Sequence, residues 1–467
     1  MKETKRPVVS LLMPVYNSFS FARSNGKSLL PLALKSLLRQ THQDFELIIL
    51  DNQSTDDTAE MCQRFAEQDV RVKYVLDAQE RFVEEAITRL GELAQGRYCM
   101  IVNDDDLWQH DYLEKLFVYA ESHPNTDLVY GCMLMIDPKN HITNAIYPKT
   151  DEIYNENMSR LFSFIRYIKK RNVLPINFGL FRTKAFREVL PYEDFDTLKE
   201  NVDNVFMSKF FLSDLKAHYL DDTFFCYRNK VRRFGKSAFD MPDLDKPLVV
   251  WLFYVRHQML FFKKLKDLVH KSAFSEDKFE FLGSVLLIYC IQASFEILGW
   301  LESEMRIQCK YKEATVLMYL LTKYRGGSMA KELDCPDAEF FIKKYTREDL
   351  IDGAVGWWSI KAKRVVENFL NFLHDINEIC DDETTMLQFQ IKNILEPEVE
   401  YYNELTLNSN LKLIENNIPK ELLYRKRSFF TKKNMAKIFP SVFSLLKEIK
   451  MVWCRARFYS IIRYIFE

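Results

Sequence analysis

The chain has 467 residues, 48% hydrophobic and 28% charged, with a formal net charge of −1. That length exceeds one ordinary core and implies roughly two to three domains, and the composition is that of a soluble globular protein, with 37 Phe and 23 Tyr against 12 Gly pointing to many helices and few glycine loops. The nine cysteines are odd in number, scattered and without a Cys-x-x-Cys pair, which excludes a disulfide framework or a structural zinc site and reads as free thiols in a reducing compartment.

The first half alternates strands and helices. Val8–Met13 is an apolar strand, Leu30–Arg39 has helical spacing, and Phe45–Leu50 is a second strand. Asp56–Glu67 reads as a helix, Val70–Leu76 as a strand, Val83–Ala94 as a helix and Tyr98–Val102 as a strand. Such βαβ units build a parallel sheet whose ligands bind at the C-terminal strand edge.

At that edge stands Asn103-Asp104-Asp105-Asp106. Three consecutive carboxylates suit a hard divalent cation such as Mg²⁺ or Mn²⁺, which offsets their mutual repulsion. The same residues would also serve as a solvated turn capping a helix over Leu107–Ala120.

Beyond it, Leu128–Ile136 is apolar, Leu161–Lys170 helical and Asn177–Arg182 a strand. A helix over Val202–Phe211 and a strand over His218–Tyr227 follow. From Pro242 the period is helical, as in Leu248–Phe262, Phe281–Leu298 and Val365–Leu373. The run Phe281–Leu301, interrupted by Gln292 and Glu296, is too short to span a bilayer and reads as a buried helix. These shifts divide the chain into 1–240, a helical part 241–422, and a tail 423–467. From Leu423 the tail carries eleven Lys or Arg against two Glu, a basic end on an acidic body. Its stripe Val442, Leu445, Leu446, Ile449, Val452 and Trp453 suits an anionic membrane interface or packing on the body; nucleic acid is not expected as a partner, because no binding module accompanies the charge.

Four pieces fall in order at strand ends: Pro14-Val15-Tyr16-Asn17, Asp51 to Thr58, Asn103 to Asp106, and Asp203 with Asn204. Together with Leu37-Leu38-Arg39-Gln40-Thr41, Phe45-Glu46-Leu47-Ile48, Ala94-Gln95-Gly96-Arg97-Tyr98, Phe178 to Arg182 and Tyr227-Arg228, this order resembles family 2 glycosyltransferases of the A-type nucleotide-sugar fold over about residues 8–240. The resemblance implies an α/β, Rossmann-like nucleotide-diphospho-sugar transferase domain with a mixed central sheet, here followed by a mainly α-helical domain. It implies transfer of a sugar, with inversion, from a nucleotide-sugar donor to a hydroxyl of a glycan or lipid-linked acceptor in envelope polysaccharide or glycolipid synthesis. The chain would lie in the cytoplasm or peripherally on the cytoplasmic membrane face. A non-catalytic glycan-binding or assembly protein and a sugar nucleotidyltransferase are the alternatives.

On this resemblance Pro14, Val15, Tyr16, Asn17, Asp51, Asn52, Arg81 and Asp104 face the donor. Asp105 and Asn103 hold a Mn²⁺ or Mg²⁺, Asp104 and Asp106 hold ribose or waters, and Asp203 is the general base. Arg228, Arg232 and Arg233 are candidate phosphate contacts. Three positions depart from the family pattern: Asn103 and Asn52 each stand where an Asp is usual, and Val202 stands where a Glu precedes the catalytic Asp. The segment Ser18–Leu29 is longer than the usual loop and lies beside the nucleotide pocket.

Overall fold

The computed structural model describes residues 6–21, 23–24, 27–137, 139–146, 160–170, 174–191, 202–228, 246–272, 274, 276–333 and 348–408. Its first strands are β1 (Val9–Val15), β2 (Phe45–Asp51), β3 (Val72–Leu76) and β4 (Tyr98–Ile101). β1 and β2 are buried almost throughout, because helices cover both faces of a parallel sheet and leave no solvent side to mark with polar residues. The connecting helices are α1 (Leu30–Leu38), α2 (Thr58–Gln68) and α3 (Val83–Leu93).

Then come β5 (Leu107–Trp108), α4 (Tyr112–Ser122), β6 (Leu128–Ile136) and β7 (Ile142–Ile146). Helix α5 (Arg160–Lys170), β8 (Leu180–Arg182), α6 (Thr183–Val189), α7 (Val202–Leu212) and β9 (Ala217–Arg228) complete this half. The sheet order is β3-β2-β1-β4-β8-β6-β9-β5, with β7 on β6. β1 to β4 pair in parallel, whereas β8 runs antiparallel to both β4 and β6, so the sheet is mixed.

Two expectations are corrected here. Leu107–Trp108 is a strand, paired with Phe225 and Cys226 of β9, and the helix begins only at Tyr112. Tertiary packing overrides local propensity: the Trp108 ring stacks on Phe225 with centroids 4.8 Å apart and meets Tyr112 edge-on. The acidic cluster is therefore no helix cap. In the second case only Leu180–Arg182 of the expected strand Asn177–Arg182 is extended, since Leu174–Asn177 forms a helical turn.

One polar staple fixes the start of the parallel strands. Buried Glu46 accepts a hydrogen bond from Ser10 Oγ at 2.5 Å and from the Gln95 amide at 2.9 Å, and pairs with Lys73. Gly96 is needed beside it, because a Cβ would stand 2.7 Å from the Ser10 nitrogen.

The second half contains α8 (Pro247–Lys271), α9 (Glu276–Ile307), α10 (Tyr311–Gly326), α11 (Ser328–Leu333), α12 (Glu348–Asp375) and α13 (Asp382–Asn408). Helix α8 packs against α7 of the first half as well as α9 and α13, and residues 1–416 make one compact unit. Trp251, Phe295, Phe369 and Phe372 form an aromatic core, with Trp251 Nε1 donating to the Ser294 carbonyl at 2.8 Å. The stretch Lys278–Ile307 is long and apolar enough to cross a membrane by length and composition, and 78% of its most apolar window is buried among the other helices. It is a core helix, as its interruptions by Gln292 and Glu296 suggest. Seven described cysteines are free thiols. The basic tail 423–467, Arg232 and Arg233 lie outside the described residues.

Candidate active site

In the strand order 3-2-1-4 the direction of winding reverses between β1 and β4, and the crevice at such a switch point is where open α/β sheets bind ligands. Register brings Val15, Asp51 and Leu76 side by side at this edge. The Val102 amide continues the ladder onto the Leu12 carbonyl at 2.9 Å, so the acidic loop emerges next to Pro14 and Tyr16.

The turns after β1 and β2 are tied to each other. Asn17, in the left-handed region at φ 48°, donates its amide to Ser54 Oγ at 2.9 Å and accepts the Thr55 amide on Oδ1 at 2.7 Å. Asn suits this position because its short polar side chain tolerates positive φ while bonding locally. The Ser20 amide reaches Asp56 Oδ2 at 2.7 Å. Burial works against charge on Asp56, but hydrogen bonds from Thr58 and Ser20 outweigh it and hold the carboxyl below the usual range. Val15 is buried, while Pro14 and Tyr16 are partly exposed at the mouth.

Asp51 is fully buried, accepting the Ser54 amide at 2.9 Å and the Tyr74 hydroxyl at 2.8 Å. Asn52 turns toward Arg81: its Nδ2 donates to the Arg81 carbonyl and its Oδ1 accepts the Arg81 amide, both at 2.7 Å. The Arg81 guanidinium in turn pairs with buried Asp77 at 2.8 Å. Beside this pair opens a cleft of about 610 Å³ lined in part by Leu50, Val75, Asp77, Arg81 and Glu85.

In the acidic loop Asn103 Nδ2 donates to Asp106 Oδ2, and Asp106 Oδ1 accepts the Arg228 amide, each at 2.8 Å. Arg228 is buried, giving Nε to the Asp105 carbonyl at 2.9 Å and Nη1 to the Asp137 carbonyl at 2.8 Å. The pairing of β5 with β9 creates this arrangement, since it sets the end of β9 against the loop. Asp106, expected to hold ribose or water, is fully buried and fastens the loop from within. Asp105 is buried and Asp104 partly exposed. Burial, with the charges of Asp51, Asp104 and Asp56, raises the Cys62 thiol to about 12, which locates Asp104 near the Asp51 end of the site.

Among the described residues no three His, Cys, Asp or Glu side chains are grouped to hold a metal unaided. With Asp106 spent, the loop offers Asp104, Asp105 and the Asn103 side-chain carbonyl. That donor set fits a Mg²⁺ or Mn²⁺ bound through one or two carboxylates and completed by substrate phosphates.

Asp203 belongs to another wall. It is exposed in the first turn of α7, a turn steadied by the Tyr167 hydroxyl donating to Asn204 Oδ1 at 3.1 Å. Its neighbour Glu84, in the first turn of α3, was not singled out by the sequence. Glu84 is buried, and among the described residues its Oε2 has no hydrogen-bond partner. Burial above all, with the charges of Asp203 and Glu85 adding, raises its carboxyl to about 8.

The site is a switch-point crevice with two stapled turns and an acidic loop, and α7 carries the exposed Asp203 carboxylate. Residues 10–190 match glycosyl transferase family 2, and the chain carries a domain of that family and is a glycosyltransferase. It is 25% identical over 239 residues to the glycosyltransferase GlyG of Streptococcus pneumoniae, covering 50% of this chain and 75% of that one. Over 110 residues it is 33% identical to the putative teichuronic acid biosynthesis glycosyltransferase TuaG of Bacillus subtilis, covering 24% of this chain and 40% of that one. Among solved structures, TarS 1–349 of S. aureus in complex with UDP is similar at 14% identity, with a TM-score of 0.43 over 85% of this chain and 91% of that one.

Proposed function

We propose that the enzyme transfers a sugar from a nucleoside-diphosphate donor to a hydroxyl acceptor, with inversion and with the help of a divalent cation. The observation that carries this reading is the acidic loop, fastened by Asn103, Asp106 and Arg228 beside the turns of Asn17 and Asn52. Pro14, Tyr16 and the clamped Arg81 border the donor's nucleotide side, and Asp104 borders its ribose. Asp105, assisted by the Asn103 carbonyl, would hold Mn²⁺ or Mg²⁺. When bound, the cation offsets the charge that develops on the leaving diphosphate.

Asp203 takes the proton of the acceptor hydroxyl as that oxygen attacks the anomeric carbon. Its exposure leaves it open to an incoming acceptor, and protonated Glu84 beside it keeps the wall from carrying two negative charges in one place. A single base, with no carboxylate assigned as nucleophile, gives one displacement and hence inversion. The teichuronic acid biosynthesis name of TuaG supports a polysaccharide or glycolipid of the cell envelope as the product.

A thermal-shift screen of UDP-, GDP- and dTDP-sugars with and without Mn²⁺ tests the donor assignment. One class should stabilise the protein in a Mn²⁺-dependent way and lose that effect in Asp105→Ala. No stabilisation by any class would oppose it.

A further inference from the structure

At the other end of the sheet, where β1 and β4 begin, a second cleft of about 670 Å³ is lined by Arg6, Arg97, Arg182, Lys184 and Arg187, together with Ala94 to Gly96 and Thr183. Among the described residues that line it there is no carboxylate. Two of the guanidiniums are fixed by backbone carbonyls. Arg187 donates Nε to Gly91 at 3.0 Å and Nη2 to Ala94 at 2.7 Å, and Arg182 donates Nε to Thr126 at 2.9 Å and Nη2 to Ala120 at 3.0 Å. Arg97 and Arg182 also share the Tyr98 ring, at 5.7 and 5.2 Å from its centroid. Carbonyls accept these hydrogen bonds without cancelling the charge. Glu121 compensates Arg97 at 3.0 Å, but both groups of that pair are open to solvent.

Five cations thus line the cleft. Buried Glu46, which accepts the Gln95 amide, already has Lys73 as its partner, and the anchored Arg182 and Arg187 cannot splay apart to relieve their repulsion. A recess of one sign concentrates the counter-charge. Arg182 and Arg187 spend Nε and Nη2 on carbonyls and supply fixed positive charge, which leaves Arg6, Arg97 and Lys184 to donate to phosphate oxygens. We propose that this cleft is an anion site for a phosphate monoester or phosphodiester, separate from the donor site. Arg6 precedes β1 and Asn17 follows it, so the seven-residue strand, ~23 Å long, stands between Arg6 and the turn of Asn17.

Inorganic phosphate titrated against the full chain at fixed ionic strength, with the thermal midpoint as readout, tests the proposal. The midpoint should rise saturably. The apparent Kd should weaken about tenfold or more in Arg6→Glu/Lys184→Glu, and the rise should persist in Arg81→Ala on the donor side. Both exchanged side chains are exposed, so the double variant should fold with a phosphate-free midpoint no lower than wild type; Lys184→Ala serves as a milder second variant. Glycerol phosphate and phosphatidylglycerol vesicles distinguish the sources. Stabilisation by the former alone assigns a free or polymer-borne phosphate, and co-sedimentation with vesicles that the double variant loses assigns a lipid headgroup. No saturable rise, an equal rise in both variants, or a rise lost in Arg81→Ala instead would overturn the site.

Discussion

The amide group of Asn52 grips the backbone of Arg81 on both sides, donating to its carbonyl and accepting from its N–H at 2.7 Å each. Only an amide does both. An aspartate, usual at this position in the family pattern, would accept the N–H but face the carbonyl with another acceptor. The departure at position 52 is therefore a positioning device for Arg81. Asn52→Asp should destabilise the protein by about 1–3 kcal/mol, the cost of leaving a buried acceptor unmet, and should weaken donor-induced stabilisation. Chemical denaturation with and without donor measures both; unchanged stability would remove the clamp from the account.

Asn103 has a parallel explanation. Its Nδ2 donates to Asp106, which in turn fastens Arg228. Restoring the family's carboxylate by Asn103→Asp exchanges that hydrogen bond for two like charges in contact. The thermal midpoint without metal should fall, and Mn²⁺ should recover more of it than in the wild type, because the cation then offsets an added charge. A variant as stable as wild type without metal would contradict this reading.

Glu84 gives a pH signature. Burial raises its folded carboxyl to about 8, against the 4.5 of an unperturbed glutamate. The folded protein thus holds a proton that the unfolded chain releases, so the contribution is fully present below about pH 4.5 and is lost as pH rises toward 8. Glu84→Gln should stabilise the protein at pH 8, change it little at pH 5, and flatten the pH dependence between them. An unchanged slope in thermal midpoints across that range would show that Glu84 ionises normally.

Cys62 reports on the same region. Burial, with Asp51, Asp104 and Asp56 around it, holds its thiol at about 12. Alkylation at pH 8 should modify exposed Cys309 first and reach Cys62 only on unfolding. Peptide mass spectrometry resolves the two, and early labelling of Cys62 would mean that the carboxylate cluster around it is open to solvent.

The sequence carried the alternation of β1 to β4 and the four pieces at their ends because hydrophobic runs and turn residues are local signals. Leu107–Trp108 was legible only as a helix start, since its strand pairing depends on Phe225 and Cys226 more than a hundred residues away. For the same reason the roles of Asp106 and Arg228 could not be read: each is defined by a contact across the sheet. Glu84 left no trace, as burial of one glutamate depends on what packs over the start of α3. The β7 strand and helix α6 are short, and neither carries enough periodicity to stand out.

The central claim is that Asp203 is the base and the Asp105 loop holds the donor. The direct measurement is release of nucleoside diphosphate from the donor that stabilises the protein, compared for wild type, Asp203→Asn and Asp105→Ala. The account predicts that Asp203→Asn loses about 10²- to 10⁴-fold in turnover while keeping donor-induced stabilisation, and that Asp105→Ala loses both. Turnover by Asp203→Asn at the wild-type rate would contradict it.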